Sequence, residues 1–288
     1  MDVSIIIVNY NTREMTAECV ESVFRMTVGI EFEVILVDNA STDGSKEFFE
    51  RDSRITYIYN EENVGFGRAN NKGYEYASGK YIFLLNSDTL LLNNAVKLFF
   101  DFAERMDSTI ACLGCSLVDY NNQPMHSYGF FPTLRRHILN IIVNYIPGFS
   151  IPIGIVPDDA PDSFPVEYIT GADLFIRRSV IERCVFFDPA IFMYYEETDL
   201  QKRYAEQGFH SVLIRTPQIM HLHSKNRKPA LRHLRLPIEG SYIYYRKHYP
   251  RWKYYLVRLF YLLLIPKVIV YPDTMGEKMK LIRLLIAK

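Results

Sequence analysis

Four polar clusters each follow an apolar run in the first ninety residues. They are Asn9-Tyr10-Asn11, Asp38-Asn39, the Gly/Asn-rich stretch from Asn63 to Asn71, and Asn86-Ser87-Asp88. Asn and Asp favour turns, which accounts for any one cluster alone. Four in succession, each at the exit of an apolar run, supply the amide and carboxylate groups that hydrogen-bond a nucleotide. A later acidic cluster, Glu196-Glu197-Thr198-Asp199, opens a helical pattern and offers a base for a hydroxyl proton. Helical spacing puts Glu196, Asp199 and Arg203 near one face, inviting an Asp199–Arg203 ion pair, and turns Glu197 about 100° away from Glu196. His221 and His223 follow the strand-like run SVLIRTPQIM.

The elements needed to position these groups alternate. Val3–Val8, Glu33–Val37, Ile55–Tyr59 and Tyr81–Leu85 read as buried strands. Asn11-Thr-Arg-Glu14 resembles a capping box with Asn11 as N-cap of a helix running to about Arg25, and Ser179-Val-Ile-Glu182 resembles a second. Strands separated by helices predict an α/β fold with a mostly parallel sheet, and such sheets bind ligands at strand C-termini, so the four clusters share one rim. Five prolines between Pro147 and Pro165 argue against regular structure there and for a long loop of the kind that serves as a lid.

Composition is that of a globular protein, 49% hydrophobic and 23% charged. The net charge of zero hides an asymmetry: residues 221–288 carry fifteen Lys or Arg against Glu239, Asp273 and Glu277. Cys19, Cys112, Cys115 and Cys184 are too few and scattered for a disulfide framework, and no signal-peptide pattern precedes the first strand, so a cytoplasmic location is expected. The Cys112-x-x-Cys115 spacing lacks a second pair or a suitably spaced His, so small buried strand residues are expected. The run from Tyr254 to Tyr271 is interrupted by Arg258, Pro266 and Lys267 and barely reaches spanning length. With its basic flanks it suits an element lying on an anionic membrane surface, the alternative being a helix packed on the main domain.

The stretches VSIIIVNYN, VILVDNASTDGS, NVGFGRANNKG, YIFLLNSDT, TGADLFIRRSVIE, FMYYEETDLQKR and IMHLH, in this order, resemble the glycosyltransferase family 2 enzymes of the GT-A fold, particularly their bacterial rhamnosyltransferase-like branch. That resemblance implies an inverting transferase that moves a sugar from a nucleoside-diphosphate sugar to a hydroxyl of a glycan or lipid-linked acceptor, in bacterial surface polysaccharide synthesis. Asp88 would ligate a divalent cation, Mn²⁺ or Mg²⁺, with help from His221; hard cations take oxygen ligands, and a carboxylate at a strand end is fixed in place. Asn86 stands where the family commonly has Asp, which removes one charge. It is expected, with Ser87, on the nucleotide side of the site.

Asp38 and Asn39 match the family's nucleotide-binding position, with Asn9, Tyr10 and Asn11 bracketing the base. Gly65 and Gly67 permit close backbone approach, and Arg68 or Asn70 faces the nucleotide or diphosphate. Glu197 is the expected base, standing where the family more often has Asp, with Glu196 as the other candidate. Transfer to a polyprenyl phosphate, sugar-nucleotide binding without turnover and nucleotidyl transfer are the rival readings, and nucleic acid is not an expected partner. The expected organisation is a GT-A domain over 1–236, with a nucleotide-sugar half (1–110) and an acceptor half (111–236). A helical extension over 237–288 would hold the protein against the inner face of the cytoplasmic membrane.

Overall fold

The computed structural model describes residues 1–143, 154–222 and 231–286. The expectations for Pro147, Pro152 and His223 lie outside them. The first part of the chain runs β1 (Val3–Asn9), α1 (Arg13–Met26), β2 (Phe32–Asp38), α2 (Ser45–Phe49), β3 (Ile55–Tyr59), α3 (Phe66–Tyr74), β4 (Tyr81–Asn86), β5 (Thr89–Leu91), α4 (Ala95–Arg105) and β6 (Ile110–Val118). It continues through β7 (Tyr128–Gly129), α5 (Leu134–Val143), β8 (Ser163–Val166), β9 (Tyr168–Ile169), β10 (Asp173–Arg177), α6 (Arg178–Cys184), α7 (Glu196–Glu206) and β11 (His210–His221). Four helices close it: α8 (Arg232–His248), α9 (Arg251–Leu262), α10 (Ile265–Val270) and α11 (Met275–Ile286).

Two compact units result. One comprises Met1–Phe130, Ile153–Pro189 and Glu197–His223, the other Phe131–Pro152, Ala190–Glu196 and Ser224–Lys288. The expected boundary at residues 236–237 falls inside α8.

The first unit is built on a sheet of order β3-β2-β1-β4-β10-β6-β11-β5, with β8 paired to β11. Strands β1 to β4 are mutually parallel, as their unbroken apolar runs require. Period-two alternation divides those runs between two faces. Val3, Ile5 and Ile7 pack with Phe83, Leu85 and the α1 residues Val20 and Val23, whereas Ile6 packs with Ile82, Leu84 and the α7 residues Leu200 and Tyr204. Each such side chain contributes roughly 1.5–3 kcal/mol relative to exposure. Because the chain proceeds outward from β1 to β3 and then returns to place β4 on the other side of β1, the order reverses between β1 and β4. That reversal is where an open α/β sheet leaves a crevice for ligands.

Three local expectations are corrected. Helix α1 has Thr12 as N-cap, not Asn11, and no side chain of its own caps it. Instead Asp43 accepts the Arg13 N–H at 2.9 Å, and Asn11, left-handed at φ 55°, accepts from the Thr42 N–H. Helix α6 begins at Arg178, directly after β10 and ahead of the Ser179 cap expected for it. Part of the proline-rich stretch is regular: β8 carries Pro165 and pairs antiparallel with β11 at the sheet margin, where a missing N–H is tolerated. Cys112 and Cys115 are buried in β6, as the sequence suggested.

The second unit packs α5, α8, α9, α10 and α11 around Tyr244, Tyr245, Val257, Leu281 and other buried residues. Pro266 stands in the first turn of α10, just after the break at Leu263 and Leu264 that separates it from α9, and among the described residues no helix is long and apolar enough to cross a membrane. A Cβ at Gly240 in α8 would collide with the Tyr194 carbonyl oxygen, so α8 meets the backbone of Tyr194 closely.

His137 in α5 is buried edge-on to the Tyr245 and Tyr261 rings, and its Nε2 has no hydrogen-bond partner. Burial holds its pKa down at about 4, below the value of about 6.5 in an unfolded chain. The neutral ring therefore contributes stability above pH 6.5 that is lost progressively as pH falls to about 4, amounting to roughly 3 kcal/mol. His137→Phe is expected to remove this slope. Between pH 7.5 and pH 5 the variant should gain about 2 kcal/mol on the parent in urea unfolding, and a difference that does not change with pH would refute the assignment.

Candidate active site

At the reversal point the exits of β1 and β4 lie side by side, and Thr12 and Ser87 hydroxyls meet at 3.1 Å. Beyond Ser87 the chain forms β5, which pairs antiparallel with the end of β11 in a register that sets Thr89 opposite His221. The Leu222 N–H donates to the Asp88 carbonyl at 2.7 Å. This pairing brings together two groups 133 residues apart: His221 Nε2 stands 3.1 Å from Asp88 Oδ1. His221 is nearly buried and Asp88 is partly open.

The donor set fits a small divalent cation. A carboxylate oxygen and an imidazole nitrogen supply two positions, no third His, Cys, Asp or Glu joins them among the described residues, and phosphate oxygens and water fill such a shell.

Two loops flank this pair. The Ala172 carbonyl accepts the Asn86 N–H at 3.0 Å, and one residue earlier a Cβ at Gly171 would lie 3.9 Å from Glu197 Cβ and 3.6 Å from the Phe66 ring. The turn before β10 thus touches both Asn86 and the stem of Glu197. Helix α7 is fixed there by Gln201, whose amide accepts the Ile169 N–H at 2.9 Å and donates to the Ile169 carbonyl at 2.8 Å. Asp199 pairs with Arg203 at 3.0 Å, as its spacing suggested, and Arg203 also donates to the carbonyls of Cys184, Val185 and Phe186.

Burial raises the Glu197 pKa. Glu196, the first residue of α7, is buried. It follows Tyr194 and Tyr195, both left-handed at φ 67° and 74°, a conformation that costs a non-glycine residue free energy and needs surrounding structure to hold it.

The remaining rim residues divide into two groups. Asn9 and Asp38 are fully buried and bonded to each other. Asn9 Nδ2 donates to Asp38 Oδ2 and Ser41 Oγ, while its Oδ1 accepts from the Thr12 N–H and hydroxyl and from the Thr16 hydroxyl. Asp38 also accepts from the Ser41 N–H and the Tyr57 hydroxyl. Asn39 ties together the next loop through Asn60, Asn63 and Val64, and buried Asn70 donates to the Phe66 carbonyl. Gly65 is left-handed at φ 87° just before α3, and Gly67 is buried in that helix. The open group is Tyr10, 49% exposed, with Asn11 and Arg68, whose Nε donates to the Pro189 carbonyl. The Asn86 side chain makes no hydrogen bond among the described residues.

Sequence reading missed Asp173. It opens β10 opposite Leu85, its Oδ2 accepts the Cys115 N–H at 2.6 Å, and its Oδ1 has no partner. Burial pushes its pKa up to about 7, while the nearby His221 acts in the opposite direction. A charged residue entering the apolar run LFI was the available signal.

Solved structures share this fold. The fold is similar to GalNAc-T7 with UDP, GalNAc and Mn²⁺ (TM-score 0.62, 14% identity, 84% of this chain and 47% of that one). It is also similar to the Pyrobaculum calidifontis mannosyltransferase PcManGT with GDP-Man and Mn²⁺ (TM-score 0.59, 15% identity, 97% and 78%). These are GT-A glycosyltransferases.

The pattern of glycosyl transferase family 2 matches residues 4–156, and the chain belongs to that family. Among curated relatives, the glycosyltransferase GlyG of Streptococcus pneumoniae is 31% identical over 38% of this chain and 37% of its own. The putative teichuronic acid biosynthesis glycosyltransferase TuaG of Bacillus subtilis is 31% identical over 44% and 51%. The N-acetylglucosaminyl-diphospho-decaprenol L-rhamnosyltransferase of Mycobacterium tuberculosis is 26% identical over 76% of each chain. The matches to GlyG and TuaG thus span only about a third to a half of those relatives' length.

Proposed function

We propose that the protein transfers a sugar from a nucleoside-diphosphate sugar to a hydroxyl of a glycan or lipid-linked acceptor, with inversion, in the synthesis of a bacterial surface polysaccharide. The observations that support this are the meeting of Asp88 and His221 at 3.1 Å beyond the exit of β4, and the approach of the Glu197 stem to Gly171, next to the Ala172 carbonyl that accepts the Asn86 N–H.

Glu197 takes the acceptor hydroxyl proton; the acceptor oxygen forms a bond to sugar C1 as the bond from C1 to the diphosphate oxygen breaks, and the nucleoside diphosphate leaves. A raised pKa suits that role, since a base matched to the working pH is the more effective. Asp88 and His221 would hold a divalent cation, which when bound neutralises charge on the departing diphosphate. Tyr10 offers a ring face to the base, and Asn11, Asn86 and Ser87 offer polar groups to the nucleotide. Asn9, Asp38 and Asn39, with Gly65 and Gly67, hold the loops that present them, and Arg68 and Asn70 lie on the helix that follows. Glu196 positions the start of α7.

The Mycobacterium tuberculosis relative's name includes a diphospho-decaprenol acceptor, which favours a lipid-linked substrate here. The basic second unit, with Trp252, Tyr255 and Leu259 each more than half exposed on α9, supports peripheral attachment to an anionic membrane at its cytoplasmic face. The deciding experiment offers dTDP-rhamnose, UDP-glucose, UDP-galactose, UDP-N-acetylhexosamines and GDP-mannose in turn, with and without Mn²⁺. Release of nucleoside diphosphate from one donor, stimulated by the metal, is expected. Binding without release from any donor would mean a sugar-nucleotide-binding protein without turnover.

A further inference from the structure

Within the second unit, α8 and α9 and the segment from Ala190 to Met193 enclose a cavity of about 350 Å³ that the reaction above does not use. Phe192, Met193, Leu236 and Ile243 make much of it apolar. Two guanidinium groups also line it, those of Arg246 and Arg258. Arg258 is half-buried, donates to the Tyr254 hydroxyl at 3.3 Å and lies 5.5 Å from the centroids of the Tyr242 and Tyr254 rings. Arg246 lies 5.9 Å from the Tyr254 ring. Among the described residues neither guanidinium meets a carboxylate: the acid in the lining, Glu239, is paired with Arg235 at 3.0 Å. Arg258, half-buried against aromatic rings and without a carboxylate partner among the described residues, is the charge that an anion would complete, and exposed Arg246 stands at the same opening to assist.

A second cavity, of about 310 Å³, adjoins the first and shares Arg258 with it. Leu259, Leu262, Leu285 and Ile286 line it between α9 and α11, and Leu259 and Ile286 are each 59% exposed, so this groove opens to the surface. A ligand that satisfies both spaces has an anionic head for the arginines and a hydrocarbon chain for the groove. Ala190, Phe192 and Met193 of the lining are followed in the chain by Tyr194, Tyr195 and Glu196, and then by the proposed base.

We propose that these cavities hold the phosphate-bearing end of a lipid-linked acceptor. Arg246 and Arg258 take the phosphate or diphosphate through charge-assisted hydrogen bonds, and Leu259, Leu262, Leu285 and Ile286 take the first carbons of the long-chain alcohol. Naming the occupant as acceptor rests on the transfer reaction proposed above; the anionic, long-chain chemistry of the ligand does not.

Binding is measured directly with the full chain. Trp252, the only tryptophan in the sequence, lies on α9 and provides a fluorescence signal, with calorimetry as the second readout. Farnesyl diphosphate below its micellar concentration is expected to bind at least tenfold more tightly than inorganic pyrophosphate or farnesol. Arg246→Gln, at an exposed position, and Leu259→Asn, on the surface groove, are each expected to weaken it at least fivefold, and Arg258→Gln more. The Glu197→Gln protein is expected to bind it as the parent does, which separates this site from failure of the catalytic reading. Equal affinity for pyrophosphate or for farnesol would overturn the proposal, as would indifference to Arg246→Gln. Equal affinity for a short-chain phosphatidylglycerol would assign the cavities to bulk membrane lipid and overturn the acceptor assignment.

Discussion

Glu197→Gln is expected to lower kcat about 10²–10⁴-fold while donor binding stays within a few-fold of the parent. The amide keeps the size of the side chain beside Gly171 but cannot accept the hydroxyl proton. The pH profile gives a second check with a definite sign. Burial raises the Glu197 pKa, so the carboxyl stays protonated, and inactive as a base, to a higher pH than an ordinary glutamate near 4.3. The acid limb of kcat should therefore lie above that value in the parent and be absent from the variant's residual rate. A variant retaining parental kcat on every hydroxyl acceptor would mean that the base is elsewhere. Retention only with a polyprenyl phosphate, whose oxygen is already ionised, would favour that rival reaction.

The second large effect is at Asp88. Asp88→Ala is expected to reduce kcat/KM by about 10³-fold and to abolish the response to Mn²⁺, since the several kcal/mol of charge stabilisation expected of a bound cation depends on an anionic ligand. His221 alone, a neutral nitrogen donor, should bind the ion weakly. Isothermal titration with Mn²⁺ in the presence of nucleoside diphosphate separates loss of the ion from loss of the fold. Parental turnover in Asp88→Ala, unchanged by chelator, would remove the role given to this carboxylate.

The parallel strands were legible because a sheet covered on both faces needs apolar residues at every position, and Ile5, Ile6 and Ile7 or Ile82, Phe83 and Leu84 leave little room for another reading. The antiparallel direction of β10 and of β8 was not, because a short apolar run looks the same in either direction and only the path between runs sets its sense. At the site, Asp88, Glu197 and His221 stood out as chemical groups at element ends. The bonding of Asn9 to Thr16, of Asp38 to Tyr57 and of Gln201 to Ile169 joins residues whose sequence separation hides them from one another. For the same reason Asn11 looked like a helix cap when its true partner, Thr42, lies on a different loop.

The bonding of Asn9 and Asp38 also bears on how a donor binds. Their side chains, with Ser41, tie the β1 and β2 exits to each other, so on the reading proposed above the nucleotide would meet loops that are already joined. Little backbone entropy should be surrendered on association. The heat-capacity change on binding should then match that expected from the buried area of the nucleotide alone, with no added component from loops folding around it.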